Sequence, residues 1–323
     1  MRLAVPPSEM APPSPSRQYF IASDILAGIE PRMSLQTFRT MTRPLFSDQC
    51  LCISCGTDFQ SVQAMPITVR SAIHGNLTCC CEKCGVEFCH GCRRPRNWCE
   101  KPDGCVPRIA TAIFRLLSLI DIELLRIGGP ERLNELFANS GKRQMVANAL
   151  SMMVTYLNNS MHARHYYLPH LINLSLLPVI FEYLLERPPK LWIETGATEN
   201  LYRQMLAFLT ICLDVGSGEI LLQQRGRIIR HSGLYAMMQD MGGITWDHSA
   251  PVRSFADVVE EIYTSDFMKE AEEYISRSRY LFDHLSERVN HLKHLFEGVD
   301  RLRTIDDGGK SVMARRSNID VIM

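Results

Sequence analysis

From Val106 onward the apolar residues recur at helical spacing, with breaks at Gly and Pro. "PRIATAIFRLLSLIDIELLRIGG" opens on Pro107 and stops at Gly128-Gly129, the start and stop asymmetry of a helix. "PERLNELFANSG" runs from Pro130 to Gly141, and "KRQMVANALSMMVTYLNNSM" places Met145, Ala149, Met152, Met153 and Tyr156 on one face. "LPHLINLSLLPVIFEYLLERPP" carries Pro169 and Pro178, so it reads as two short helices or one kinked helix. "TENLYRQMLAFLTICLDVGSG" opens at a Thr198 cap and closes at Gly216. "EILLQQRG" and "GLYAMMQDMGG" follow. A long stretch from Ser254 to Leu302 then offers Tyr274, Leu281, Leu285, Val289, Leu292 and Leu295 opposite a polar face. Helices joined by short breaks, with no fixed-period repeat, predict an all-α bundle or solenoid-like domain over residues 107–302.

Upstream the texture differs. "VPPSEMAPPSPS" is Pro/Ser-rich and cannot build a core, so residues 1–45 read as a disordered tail, within which "FIASDILAGI" offers a short helical segment. Residues 46–106 are rich in cysteine and poor in aliphatic side chains, so their folding energy must come largely from a bound metal. The end, "RTIDDGGKSVMARRSNIDVIM", is polar and reads as a flexible tail over 303–323. The fold class is therefore mainly α: a small cysteine-rich zinc-binding module followed by an all-α domain.

Composition narrows the function classes. Of 323 residues, 46% are hydrophobic and 22% charged, which is the balance of a globular chain. Lys+Arg and Asp+Glu stand at 35 each, so no net field draws the chain to nucleic acid or anionic lipid. The N-terminus lacks the apolar core of a secretory signal, and no uninterrupted apolar run reaches membrane-spanning length. The expectation is an intracellular chain, cytoplasmic or nuclear.

Eleven of the twelve cysteines lie between Cys50 and Cys105. Without a secretory signal, that density reads as metal ligation rather than a disulfide framework. Three C-x2-C pairs are present, Cys52/Cys55, Cys81/Cys84 and Cys89/Cys92, followed by Cys99 and Cys105. Each pair presents two thiolates on a tight knuckle, and two knuckles complete a tetrahedral zinc shell. Eight ligands suffice for two zinc ions. Sequential pairing assigns Cys52, Cys55, Cys81 and Cys84 to one ion, and Cys89, Cys92, Cys99 and Cys105 to the other. Cys79 or Cys80 in place of Cys81, and a cross-braced pairing, remain alternatives.

"CEKCGVEFCHGC" resembles the C-x2-C-x4-C-x2-C core of the in-between-RING zinc fold of RING-between-RING ubiquitin ligases. By that resemblance Cys81, Cys84, Cys89 and Cys92 form the core, Cys52 and Cys55 the upstream pair, and Phe88 an apolar plug. The family's catalytic module carries a nucleophilic cysteine shortly before this core; here Asn76 or His74 stands at that place, and nothing before Cys50 spells a RING. The segments "YYLPHLINLSLLPVIFEYLLERPP" and "ENLYRQMLAFLTICL" resemble the helical region that precedes the conjugating domain of very large E2-type ubiquitin-conjugating proteins. Together the resemblances imply a non-catalytic recognition or scaffold module of the ubiquitin-transfer system. Its partners would be a ubiquitin-charged conjugating enzyme or a substrate protein. Two alternatives are a divergent ligase passing ubiquitin through Cys79 or Cys80, and a zinc-finger nucleic-acid binder using Arg93, Arg94 and Arg96 beside Trp98.

Other candidates have plainer readings. Cys212 in "TICLDVGSG" resembles a conjugating-enzyme active site but lacks the HPN tripeptide that supplies oxyanion stabilisation there, and its apolar neighbours make it a core residue. His284, His291 and His294 read as a polar helix face, since the sequence shows no further ligands for a metal. Asp306-Asp307 before Gly308-Gly309 has too few ligands for a calcium loop.

Overall fold

The computed structural model describes residues 22–30, 33–46, 78–81, 83–89, 91–92, 94, 99, 105–161, 163, 165–185, 199–222, 225–228, 234, 246–252, 254–277 and 283–319. In chain order these contain α1 (Ala22–Ala27), α2 (Leu35–Phe46), β1 (Thr78–Cys80), β2 (Glu87–Cys89), α3 (Val106–Arg126), α4 (Leu133–Ala138), α5 (Ser140–Asn158), α6 (Tyr167–Leu174), α7 (Leu177–Leu185) and α8 (Glu199–Asp214). They continue with α9 (Glu219–Leu222), β3 (Arg225–Ile228), β4 (Trp246–Val252), α10 (Phe255–Thr264), α11 (Asp266–Arg277) and α12 (Asp283–Ile319). The chain is mainly α, as the apolar periodicity requires.

Pro107 near the start and a positive φ at Gly128 and Gly129 past the end bracket α3. Its buried Ile109, Ile113, Leu117, Ile120 and Leu124 face α5, α6 and α7 as well as α1 and α2. Thr111 and Ser118, polar yet buried, return their hydroxyls to the carbonyls of Pro107 and Phe114 at 2.8 and 2.7 Å, so no donor is stranded. α8 packs on α5 and on α12, and α12 in turn lies on α9, α10 and α11. One connected set of buried side chains reaches from Leu26 to Val299. Helices distant in sequence meet around it, which is a bundle; in a solenoid each unit would touch only its neighbours.

The Pro-containing stretch resolves into two helices, α6 and α7, bent by 77° at the break. Asp121 of α3, itself 1% exposed, organises that corner. Its Oδ1 accepts from the Ser175 hydroxyl at 2.7 Å and from the Leu176 amide at 2.9 Å, and Ser175 Oγ accepts from the Leu177 amide at 3.0 Å. Side chains thus satisfy the backbone groups that the bend releases. Among the described residues no single helix is long and apolar enough to cross a membrane; the α6–α7 pair is that apolar because it is buried in the core.

Two expectations need correction. Residues 22–46 are not a tail. α1 and α2 bury Ile25, Leu26, Phe38, Leu45 and Phe46, and the link between them buries Ile29. Phe46 stacks on Phe114 at 4.5 Å, Phe38 on His170 at 4.8 Å, and His170 Nε2 meets the Glu30 carbonyl at 3.0 Å. These apolar residues occupy one face of each short helix and repay the ordering of the segment. At the other end α12 continues to Ile319, and Arg303 is tied to α10 through Asp257 at 2.8 Å and Glu260 at 2.5 Å. The long stretch after Ser254 forms three helices, α10, α11 and α12. Ser254 and Asp257 form a capping box at the start of α10, and Ser265 closes it.

The α5 face is also wider than the pattern predicts. Val146, Ala147, Ala149, Leu150, Met153 and Leu157 are buried because α3 and α8 both pack against the helix, while Met145, Met152 and Tyr156 line the rim. Cys212 is fully buried in the core, as a small apolar side chain. Thr198, Leu281 and residues 233 and 235–243 of "GLYAMMQDMGG" lie outside the described residues, and β3 and β4 pair antiparallel on either side of the latter segment.

Candidate metal centre

β1 and β2 form an antiparallel pair in which Cys79 faces Phe88 and Cys80 faces Glu87 across the ladder. The turn between them is the first described cysteine knuckle. The Cys81 amide bonds the Val86 carbonyl at 3.0 Å, the Gly85 amide bonds the Cys81 carbonyl at 2.6 Å, and Gly85 takes φ 70°. That left-handed conformation turns the chain sharply after Cys84, and glycine adopts it without a Cβ clash. Phe88, fully buried, anchors the pair.

The second knuckle follows β2. The Cys89 amide bonds the Arg94 carbonyl at 2.8 Å, so Cys89 and Cys92 sit on one tight turn. Gly91 between them lies against the first turn of α3: a Cβ on it would stand 2.3 Å from Arg108 Cα and from Arg108 N. Only a residue without a side chain lets the turn approach the helix so closely. Cys105 is the N-cap residue of α3, its carbonyl accepting the first helical bond from the Ile109 amide at 3.0 Å. The helix therefore delivers Cys105 to the side of the turn where Cys89 and Cys92 stand.

Four thiols converge as a result. The sulfurs of Cys89, Cys92, Cys99 and Cys105 all lie within 4.8 Å of one another, and Cys92 Sγ is 3.6 Å from Cys99 Sγ. Cys89, Cys92 and Cys105 are buried and Cys99 half-buried. Cys89, Cys92, Cys99 and Cys105 are thiols and form no disulfide. Sulfurs bound to one tetrahedral ion at about 2.3 Å stand about 3.8 Å apart, so the group fits the coordination sphere of a thiophilic metal.

The electrostatics point the same way. Hydrogen bonds from Cys105 and Cys92 pull the Cys89 thiol down to about 2, against the opposing effect of burial. Burial, and then the charge on Cys89, push Cys99 up to about 12. Cys105 is also raised, chiefly by its hydrogen bonds to Cys89 and Cys92 and by burial, with the Arg108 amide working against the shift. The lowering at Cys89 thus goes together with the raising at Cys99 and Cys105, and a divalent cation at the centre would remove that conflict by favouring thiolates.

The structure brings together Cys89, Cys92, Cys99 and Cys105. Cys81, buried, and Cys84, exposed, stand on the first knuckle and do not join that group. Their sequential partners Cys52 and Cys55 lie outside the described residues, as do His90, Arg93, Arg96 and Trp98. Ligand spacing does not reveal the two further contributors, Gly91 and the first turn of α3; Pro107, two residues after Cys105, signals the helix start, whereas the contact at Gly91 depends on where that helix lies.

No family model matches this chain, and neither a curated protein nor a solved structure matches it.

Proposed function

We propose that the chain is a zinc-stabilised, non-catalytic recognition module. Its cysteine segment folds around two structural zinc ions and presents, with the helical bundle, a surface for protein partners. The observation that supports this most is the four-thiol group on the start of α3, three of its members buried. A shell of four thiolates leaves no position for a substrate or an activated water, so the ion is structural rather than hydrolytic. The second ion, held by Cys52, Cys55, Cys81 and Cys84, rests on ligand spacing and on the Cys81/Cys84 knuckle at the β1–β2 turn.

The process is ubiquitin transfer, a reading that rests on the in-between-RING-like core at Cys81, Cys84, Cys89 and Cys92. The partner is a ubiquitin-charged conjugating enzyme or its substrate. The test incubates the zinc-loaded chain with a panel of ubiquitin-charged conjugating enzymes and reads both co-elution and a non-reducing gel. Co-elution with no thiol-sensitive ubiquitin adduct is expected. An adduct lost on substitution of Cys79 or Cys80 would make the chain a transferase, and neither co-elution nor adduct would remove it from this process.

A further inference from the structure

The four thiols at the start of α3 are not equivalent. Cys89, Cys92 and Cys105 are buried, whereas Cys99 is half-buried and is the member of the group that solvent reaches. The other three are placed by regular structure. Cys89 ends β2, Cys92 sits on the turn that Gly91 packs against the α3 backbone, and Cys105 is the N-cap residue of α3. Cys99 belongs to no helix or strand. Its sulfur nevertheless stands 3.6 Å from Cys92 Sγ, within a group bounded by 4.8 Å. The two residues are seven positions apart, so a bond between them closes only a short loop.

Thiolate oxidation follows exposure, and a disulfide forms where a second thiolate stands beside the oxidised one. Cys99 meets the first condition and Cys92 the second. We infer that the centre is a peroxide-sensitive switch, in which Cys99 is oxidised first and Cys92 then bonds to it with release of the ion. This deepens, and rests on, the zinc reading of Cys89, Cys92, Cys99 and Cys105 given above.

The oxidant is hydrogen peroxide. The Cys99 sulfur attacks one peroxide oxygen: the S–O bond of a sulfenic acid forms, the O–O bond breaks and hydroxide leaves. The Cys92 thiolate then attacks the Cys99 sulfur: the S–S bond forms, the S–O bond breaks and a second hydroxide leaves. Two electrons pass from two thiolates to peroxide, and two protons from solvent turn both hydroxides into water. Cys89 and Cys105 remain, two ligands where a structural zinc takes four, so the ion departs. The knuckle and α3 then lose their shared ligand. A dithiol reductant supplied with zinc reverses the change.

The experiment treats the full, reduced, zinc-loaded chain with one equivalent of hydrogen peroxide and follows released zinc with a chromophoric indicator. Alkylation and peptide mapping then locate the oxidised cysteines. Loss of one zinc and two free thiols is expected, with Cys92 joined to Cys99, and zinc uptake should return with dithiothreitol. Cys99→His keeps a shell of three cysteines and one histidine, which zinc accepts, so it should hold the ion and lose its release by peroxide. Should that variant fail to fold, the disulfide map of the parent chain decides alone. Zinc retained under peroxide, or released while Cys92 and Cys99 both stay thiols, would overturn the switch and leave the zinc reading standing. A zinc shell of nitrogen and oxygen in the reduced chain would remove both.

Discussion

Gly91 shows how one residue joins the metal centre to the helical body. A Cβ there would press on Arg108 backbone atoms at 2.3 Å, and backbone cannot move aside as a flexible side-chain end can. Gly91→Ala should therefore lift the second knuckle from α3, separate Cys89 and Cys92 from Cys105, and weaken zinc binding by ~10-fold or more, as loss of a supporting contact does. Competition with a chromophoric chelator measures this, and an unchanged affinity would contradict the packing described. Ligand spacing made the thiols visible in the sequence, because C-x2-C is a local geometry. The Gly91 contact was not visible, because it depends on where α3 lies. A second residue-scale case is His165, buried beside Ser160 and Tyr167, with Nδ1 2.9 Å from the Tyr167 hydroxyl. Burial lowers its pKa, partly offset by the Ser160 backbone. A histidine whose folded pKa lies below its unfolded value binds fewer protons when folded. Its contribution is thus intact above about pH 6.5 and is lost as the pH falls through the folded value. Melting temperature should drop between pH 7 and 5, and His165→Gln should flatten that drop while lowering stability at pH 7.

At the scale of elements, α1 and α2 belong to the bundle. Phe46, 2% exposed and stacked on Phe114, should cost about 3–5 kcal/mol when cut to alanine. Urea unfolding followed by helical circular dichroism measures the loss; no change would mean that this segment is dispensable. Gly298 plays a similar part where α12 crosses α8, since a Cβ there would lie 2.0 Å from Leu213 Cδ2. Gly298→Ala forces Leu213 to move and should cost about 1–3 kcal/mol. Long periodic helices such as α3, α5 and α8 were legible because their stripes and end signals agree. α1 was legible as the short helical segment in "FIASDILAGI", but its packing and the whole of α2 were not, because a Pro/Ser-rich stretch precedes them and each is too short to hold together without the tertiary contacts that stabilise it. β3 and β4 were missed for a related reason: "RGRI" and "WDHSAPV" carry no clean alternation, and it is their pairing that makes them strands. The α6–α7 corner was half legible: the prolines marked a break, but Asp121, which holds it, lies more than fifty residues earlier.

For the whole molecule, two energy sources are joined at the start of α3. The bundle rests on the core that runs from Leu26 to Val299, while the small group of Cys89, Cys92, Cys99 and Cys105 forms a separate cluster with no aliphatic side chain of its own. Metal removal should therefore unfold the cysteine module and leave most of the helical circular dichroism in place. Cys84→Ser should act in the same direction on the first knuckle. Collapse of the entire helical signal on chelation would show that the bundle cannot stand without the metal. Zinc-edge X-ray absorption of the purified chain is the decisive measurement for the closed four-thiolate zinc site proposed at Cys89, Cys92, Cys99 and Cys105. A first shell of sulfur at about 2.3 Å is expected, with one sulfur replaced by a lighter ligand, or the ion lost, in Cys105→Ser. A shell dominated by nitrogen and oxygen, or a spectrum unaltered by that substitution, would rule the site out.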